Sequence, residues 1–326
     1  MSAPVVVLVE HAGGEADRLS LEALAFAAPL AGRLGADVEA VLVGPGSAGV
    51  AASLGGHGVR TAHVVEDGRL DAYAPAAFAA ALGAVVEARS PSAVLAPGSD
   101  RGTEVLAYLA ARTGLPMAAN VVSVESGESW SVVRQRWAGS LLEDATLDAP
   151  IRLMTVAPHV VEAPEAASGA APDVVSHAPA IAESDLVVRV TGHEAPETGK
   201  ISLTDAKVVI GGGRGVGSAE NFAVLEKLAG LIGAAVGGSR VATSLGWRPH
   251  SDQIGQTGLR IAPELYIACG ISGAIQHIVG CKAAKRILAI NTDPDSPIMA
   301  VADYAVIGDL HEVLPAIAAE VRRRQG

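Results

Sequence analysis

Aromatic residues, cysteines and long hydrophobic runs are all scarce in this sequence. Only 3% of its 326 residues are aromatic although 50% are hydrophobic, which indicates cores of small aliphatic side chains, as in α/β layers around buried parallel sheets. The two cysteines, Cys269 and Cys281, match no metal-binding spacing, so we expect no metal and predict reduced, partly buried thiols. No apolar stretch reaches the roughly 18 residues of a membrane helix, so we expect no membrane insertion.

Positive charge is scarce as well. Lysine and arginine number 24 against 35 acidic residues, and the formal net charge of -11 argues against nucleic-acid partners and anionic membrane surfaces. The basic cluster at residues 322–324 complements the dipole of a predicted C-terminal helix. The first residues lack the basic segment and long apolar run of a signal peptide, so we expect a cytoplasmic protein.

The first half of the chain alternates strand and helix patterns. Apolar runs at residues 5–9, 38–43 and 94–96, with a helical pattern at 19–34, predict βαβ units and a parallel sheet. Shorter β-type runs between residues 121 and 161 predict strands added at one side of that sheet. The Ala-, Pro- and Ser-rich residues 163–185 predict an exposed connector, and residues 186–190 predict one more strand.

The α/β alternation restarts near Lys200 and runs to a closing helix at residues 310–324. We therefore predict an α/β fold of two domains, residues 1–195 and 196–326. Each is expected to be a mostly parallel sheet flanked by helices, and the second to be Rossmann-like. Ligands of open α/β sheets bind at the carboxyl ends of the strands, so the loops after these strands are the candidate site.

A glycine-rich stretch, VVIGGGRGVGSAENF at residues 208–222, follows the first strand of the second domain. It fits the dinucleotide pattern GxGxxG in no register, because the sixth position is Val216 or Ser218. The acidic residue that holds an NAD ribose is replaced by GGSR, ending at Arg240. What remains is a strand, a turn and a helix with Ser218 as N-cap, and Arg214 is placed to pair with a phosphate or lie along a ring.

Other polar loops follow the later strands. QIGQTG, residues 253–258, offers amides, a hydroxyl and glycine backbone, and GISGAIQH, residues 270–277, predicts a second strand–turn–helix with Ser272 at its cap. N–H groups at such a helix start suit a pyrophosphate. Asn291 and Asp309 each follow an apolar strand. We expect all these loops to meet at one edge of the sheet.

In order and spacing, these motifs, with APELYIA and ADYAVIGDL, resemble the C-terminal domain of the electron-transfer flavoprotein α subunit over residues 207 to about 315. The first half resembles the same family more weakly, through VLVEH. The resemblance implies FAD in the second domain and a β subunit as partner, which holds AMP or a second FAD. It also implies that the first domain is adenine nucleotide hydrolase-like and contacts that partner.

The resemblance also implies roles for individual residues. A flavin that gains an electron gains negative charge at N1 and O2, so a cation or N–H donor there raises its potential. His277 is the candidate at O2, Thr257 at N5 and Arg240 over the ring, and no catalytic base is expected. Ser244 departs from the family, in which many members carry Asp four positions beyond the arginine. The implied FAD-binding residues are Arg214, Ser239, Arg240, Ile254, Gly255, Gln256, Thr257, Ser272, Gly273, Ala274, Ile275, Gln276, His277, Asn291 and Asp309.

Several functions stay open at this point. The family implies an electron carrier that accepts electrons from flavin dehydrogenases, such as acyl-CoA dehydrogenases, and passes them to a quinone reductase or another acceptor. A bifurcating flavoprotein that oxidises NADH would share the same α subunit. An NAD-dependent dehydrogenase needs the full GxGxxG that is missing, and an adenine-nucleotide-binding module leaves QIGQTG and GISGAIQH unexplained.

Overall fold

The structure is a computed structural model that describes residues 2–163, 165–192 and 201–325. The chain divides into two compact units, Met1–His193 and Glu194–Gly326. Each unit is a sheet flanked by helices, which confirms the predicted α/β class. The boundary predicted at residue 195 and the restart predicted at Lys200 fall outside the described residues. None of the helices described is both long and apolar enough to cross a membrane.

The first unit is built on a nine-stranded sheet in the order β11-β5-β4-β1-β6-β10-β7-β8-β9. Pairing is parallel from β11 to β7 and antiparallel from β7 to β9. A separate hairpin is formed by β2 and β3. The strands are β1 Val5–Leu8, β2 His11–Ala12, β3 Glu15–Ala16, β4 Val38–Val43, β5 Val59–Val65, β6 Ala93–Pro97, β7 Met117–Glu125, β8 Trp130–Arg136, β9 Leu141–Leu147, β10 Arg152–Val156 and β11 Asp173–Ser176.

Helices cover both faces of this sheet. Leu24 and Leu30 of the first helix pack into one core, and Leu82 and Leu106 of the third and fourth helices pack into the other. The strands between them are buried on both faces, which is why they appear as continuous apolar runs. The helices are α1 Arg18–Leu34, α2 Ser47–Ala51, α3 Pro75–Arg89 and α4 Asp100–Thr113.

The segment predicted as an exposed connector is mostly exposed, as expected, but it is more than a connector, because part of it is built into the sheet. Its residues in β11 pair with β5, although their side chains are all exposed. Ile181 and Asp185 are buried, and Asp185 accepts an ion-pair hydrogen bond from Arg112 at 2.7 Å. An edge strand held by backbone bonds needs no apolar alternation, so the composition gave no signal of it. Residues 186–190 form no strand; Leu186 is the last residue of a 3₁₀ turn, Glu183–Leu186.

The second unit is a five-stranded parallel sheet in the order β13-β12-β14-β15-β16. This is the flavodoxin-like order of doubly wound folds, whose ligand crevice lies between the first and third strands, here β12 and β14. The strands are β12 Val208–Gly212, β13 Ala235–Gly238, β14 Leu265–Cys269, β15 Ile287–Asn291 and β16 Tyr304–Ile307. The helices are α5 Phe222–Ile232, α6 Arg240–Ser244, α7 Ile275–Cys281, α8 Pro297–Val301 and α9 Leu310–Gln325.

Helix α5 starts later than the sequence predicts. Asn221 is its N-cap residue, and Ser218 accepts a hydrogen bond from the Asn221 amide at 3.3 Å from outside the helix. The predicted N-cap at Ser218 is therefore wrong, because a 3₁₀ turn, Arg214–Val216, and further loop residues come between the strand and the helix. The predicted apolar face is correct, with Phe222 and Leu225 fully buried.

A buried polar cluster fastens the edge of the first sheet. His177, just beyond β11, lies with Nε2 2.9 Å from Nδ1 of His63 on β5. His63 Nε2 lies 2.9 Å from Glu39 on β4, and Arg89 donates two hydrogen bonds to the same carboxylate. Burial by itself would raise the pKa of Glu39, but these bonds from His63 and Arg89 lower it to about 2.

We predict that Glu39→Gln lowers the free energy of unfolding by about 2 kcal/mol at pH 7, because buried His63 and partly exposed Arg89 lose a charged acceptor. Since the pKa of Glu39 is lowered on folding, its contribution is present above pH 4.5 and is lost as the pH falls toward 2. The difference between wild type and variant in urea denaturation should therefore shrink over that interval. Exposed Glu87→Gln on the same helix as Arg89 is the control, and an equal loss there would contradict the prediction.

Candidate functional site

Glycines bring the carboxyl ends of β12 and β14 unusually close. The Gly213 amide donates to the Cys269 carbonyl at 2.9 Å, and the Gly215 amide donates to the Gly270 carbonyl at 3.0 Å. A Cβ atom at Gly213 would collide with the Gly270 carbonyl, and one at Gly215 would lie 2.7 Å from the Gly270 Cα. The glycine cluster is therefore required by backbone packing, and it leaves Arg214 exposed at the crevice.

A cavity of about 650 Å³ opens at this crevice, within the roughly 300–1,000 Å³ range of ligand pockets. It brings together twelve of the fifteen residues predicted for the site. These are Arg214, Ser239, Arg240, Ile254, Gly255, Gln256, Thr257, Ser272, Ala274, Gln276, His277 and Asn291. Five segments that are separate in sequence thus meet at one edge of the sheet, as the motifs predict.

Three predicted residues lie outside the cavity lining. Gly273 is packed against Ile298 of α8, so closely that a Cβ would collide with the Ile298 amide. Ile275 is 70% exposed on α7. Asp309 accepts a hydrogen bond from the His311 amide at 2.8 Å at the start of α9. Asp309 follows strand β16, as predicted, but its side chain caps the start of helix α9.

The cavity also contains residues outside the predicted set of fifteen, among them Gln253, Val241, Leu245, Asp293 and Ser296. Gln253 is the first residue of QIGQTG, so the motif itself pointed to it. The other four lie in or beside short helices and turns, where the sequence shows no distinctive motif.

Gln253 fixes the hydroxyl of Thr257. Its buried amide accepts from Thr243 Oγ1 at 2.7 Å and donates to Thr257 Oγ1 at 2.9 Å. Because the Thr257 oxygen accepts this bond, its proton is available to donate into the cavity.

His277 is a buried side chain with one unused nitrogen. Only 7% of its surface is exposed, and its Nε2 lies 2.7 Å from the Tyr266 hydroxyl. Within the described chain, its buried Nδ1 has no partner that meets hydrogen-bond geometry. Burial lowers the pKa of His277 to about 4, an effect that the backbone of Ile254 partly opposes. The ring is therefore neutral near pH 7, so it can serve as an N–H donor but not as a cation.

Two arginines supply the positive charge of the site. Arg214 and Arg240 line the cavity together with Asp293, whose carboxylate accepts a hydrogen bond from the Asp295 amide at 3.0 Å. No ion pair within the described residues involves either arginine. By contrast, Arg248 is neutralised by Asp252 and Glu226, each at 2.6 Å. Ser244, one helical turn beyond Arg240 in α6, is neutral and also lines the cavity.

The start of α7 contributes backbone donors. Its N-cap residue is Ala274, so the predicted cap at Ser272 is wrong. The amides of Ile275 and Gln276 donate to no backbone carbonyl of the described residues. The Gln276 carbonyl accepts from the Gln256 amide at 2.7 Å, which ties QIGQTG to this helix. Asn291 also lines the cavity. Its side-chain amide already donates to the Ile271 carbonyl at 2.9 Å and accepts from the Asp293 amide at 3.1 Å.

Comparison with known proteins assigns this arrangement to a family. The family model described as the electron transfer flavoprotein FAD-binding domain matches residues 202–282, and the electron transfer flavoprotein domain matches residues 5–182. The α subunit from Mycobacterium leprae is 39% identical over 326 residues, covering 99% of this chain and 100% of the relative. The α subunit from Bacillus subtilis is 34% identical, covering 99% and 98%. The chain belongs to the electron transfer flavoprotein α-subunit family.

FAD is the cofactor of the domain that this electron transfer flavoprotein subunit carries at residues 202–282. The residues present fit it. Among the described residues, His277 has a buried nitrogen without a partner, Arg214 and Arg240 line the cavity without an ion pair, and the first amides of α7 have no backbone acceptor. Gly255, at φ 151°, lets the QIGQTG loop lie against the first turn of α7, where a Cβ at this position would be only 3.0 Å from the Gln276 carbonyl oxygen. The cavity thus offers cations and N–H donors of the kind that phosphates and carbonyl oxygens require.

We predict that Gly213→Ala destabilises the protein by about 1–3 kcal/mol and lowers its FAD content, since the added methyl group forces β12 and β14 apart. Gly230→Ala is a matched control, because Gly230 lies in α5 with nothing within 4 Å of an added Cβ. That change should be neutral or stabilise by about 0.5–1 kcal/mol. Thermal unfolding and FAD content of both variants check this, and equal behaviour would contradict it.

Proposed function

We propose that this chain is the FAD-carrying subunit of a heterodimer with an electron transfer flavoprotein β subunit. It accepts electrons from flavin dehydrogenases, such as acyl-CoA dehydrogenases, and passes them in the cytoplasm to a quinone reductase or another acceptor. The observation that carries the proposal is the cavity in which twelve predicted residues from separate loops converge around hydrogen-bond donors.

The proposed roles follow from the chemistry of each group. Bound FAD supplies reversible electron transfer. His277 holds a proton on its unpartnered Nδ1 for a flavin carbonyl, and Thr257 directs its hydroxyl proton toward the ring. Arg240 adds positive charge that favours the reduced, anionic ring. The remaining contacts to the flavin half of FAD are proposed to come from Arg214, Ser239 and residues 254–256.

The cofactor's phosphates are proposed to bind at the start of α7. The free amides there, at Ile275 and Gln276, suit an anion, with Ser272 and Ala274 beside them in the cavity lining. Ile275 takes part through its amide, because its side chain is exposed. Asn291 is proposed near the adenosine end, with one amide proton left to donate.

The titratable groups favour a carrier over an enzyme with its own substrate. Asp293 is the carboxylate in the cavity lining, and it is exposed. His277 is hydrogen-bonded and its pKa is lowered to about 4, so it is a poor general base at neutral pH. The lining therefore supports binding and electrostatic tuning.

The direct experiment is co-expression with the β subunit. The purified heterodimer should be yellow, and denaturation should release FAD from this chain. A colourless complex that cannot be reconstituted with FAD would overturn the proposal. Two FAD per heterodimer, with reduction by NADH, would instead indicate a bifurcating flavoprotein, and one FAD reduced by an acyl-CoA dehydrogenase would support the function proposed above.

We predict that Ser244→Asp makes the one-electron potential of the bound FAD more negative. A carboxylate one turn from Arg240 partly neutralises the guanidinium, and such exposed pairs contribute about 0.5 kcal/mol, or roughly 20 mV for one electron. Ser244→Asn has nearly the same size without the charge and should leave the potential unchanged. Spectroelectrochemical titration checks this, and a shift of equal size in both variants would rule out the charge effect.

A further inference from the structure

Tyr266 is a fully buried phenol whose hydroxyl has a single partner. It lies on β14 with 0% of its surface exposed, and among the described residues its hydroxyl bonds only to His277 Nε2, at 2.7 Å. Gly211 on the neighbouring strand leaves room for the ring, since a Cβ there would collide with the hydroxyl. The phenol is thus held in place on the core side of His277.

This contact determines which nitrogen of His277 carries the proton. If Nε2–H donated to the phenol oxygen, the buried Tyr266 O–H would be left without an acceptor, and His277 Nδ1 would be left without a donor. An unsatisfied buried donor is costly, at about 1–3 kcal/mol. If the phenol donates to Nε2 instead, its proton is satisfied and the ring proton must sit on Nδ1, where the carbonyl of the bound flavin would be its acceptor. Burial raises the pKa of Tyr266, so the phenol keeps this proton.

We infer that Tyr266 is a positioning residue that locks His277 in the Nδ1–H tautomer, so that the site presents a donor, and not an acceptor, to the flavin. This inference rests on the proposed FAD site. In the opposite tautomer, Nδ1 would turn a lone pair toward the cofactor's carbonyl oxygen and repel it. The hydrogen bond at 2.7 Å therefore acts on the cofactor through the histidine.

The test uses the FAD-loaded heterodimer labelled with ¹⁵N-histidine, and the His277 signals are assigned by their loss in His277→Gln. Wild type should show Nδ1 in the protonated range and Nε2 in the unprotonated range. Tyr266→Phe keeps the aromatic ring but removes the hydroxyl. It should move both signals toward a mixture of tautomers and raise the FAD dissociation constant about fivefold, the loss of one hydrogen bond.

Tyr73→Phe is the matched control. It removes a phenol hydroxyl that bonds Glu104 at 2.9 Å in the first unit, and should leave the His277 signals and FAD binding unchanged. Protonated Nε2 in the wild-type complex would overturn the inference, even if Tyr266→Phe failed to fold. Unchanged His277 signals in Tyr266→Phe would also overturn it. A heterodimer that bound no FAD would instead refute the proposed function.

Discussion

The close approach of β12 and β14 is the constraint on which the candidate site depends. Gly213 and Gly215 pack against the backbone of Gly270, which no side chain would permit. This packing directs the loops that follow β12 and β14 around one crevice. The crevice lies where the strand order of the doubly wound sheet reverses. A second glycine contact, Gly255 against the first turn of α7, brings QIGQTG to the same place. The site is thus assembled by backbone fit before any polar side chain contributes.

Polar groups inside this frame are arranged to donate. Thr257 is held by Gln253, His277 is held by Tyr266, and the first amides of α7 have no backbone acceptor in the described part of the chain. Arg240, which forms no ion pair with a described residue, adds charge, whereas Arg248 is paired with Glu226 and Asp252. A redox cofactor that becomes more negative on reduction is favoured by such surroundings, and no proton acceptor of suitable pKa is needed.

Sequence patterns predicted the two α/β sheets and the loops that meet at the cavity, because motifs that follow apolar strands lie at the same edge of a parallel sheet; the roles of the individual site residues stay predictions. The predictions were wrong where tertiary contacts determine strand pairing and the positions at which helices begin. Strand β11 has only exposed side chains, so its place in the sheet depends on pairing and on His177. The starts of α5 and α7 are set by glycine turns, and Asp309 serves as a cap. Neither the neutral state of His277 nor its contact with Tyr266 can be read from residue spacing.

The most direct measurement is the one-electron reduction potential of FAD in the heterodimer, compared between wild type and His277→Ala. If this cavity holds the flavin with Nδ1–H against its carbonyl, the variant loses a hydrogen bond to a charged acceptor. Such a bond contributes about 1.5–3 kcal/mol, so the first potential should become more negative by roughly 60–130 mV. An unchanged potential, with FAD still bound, would contradict the placement of the flavin in this cavity.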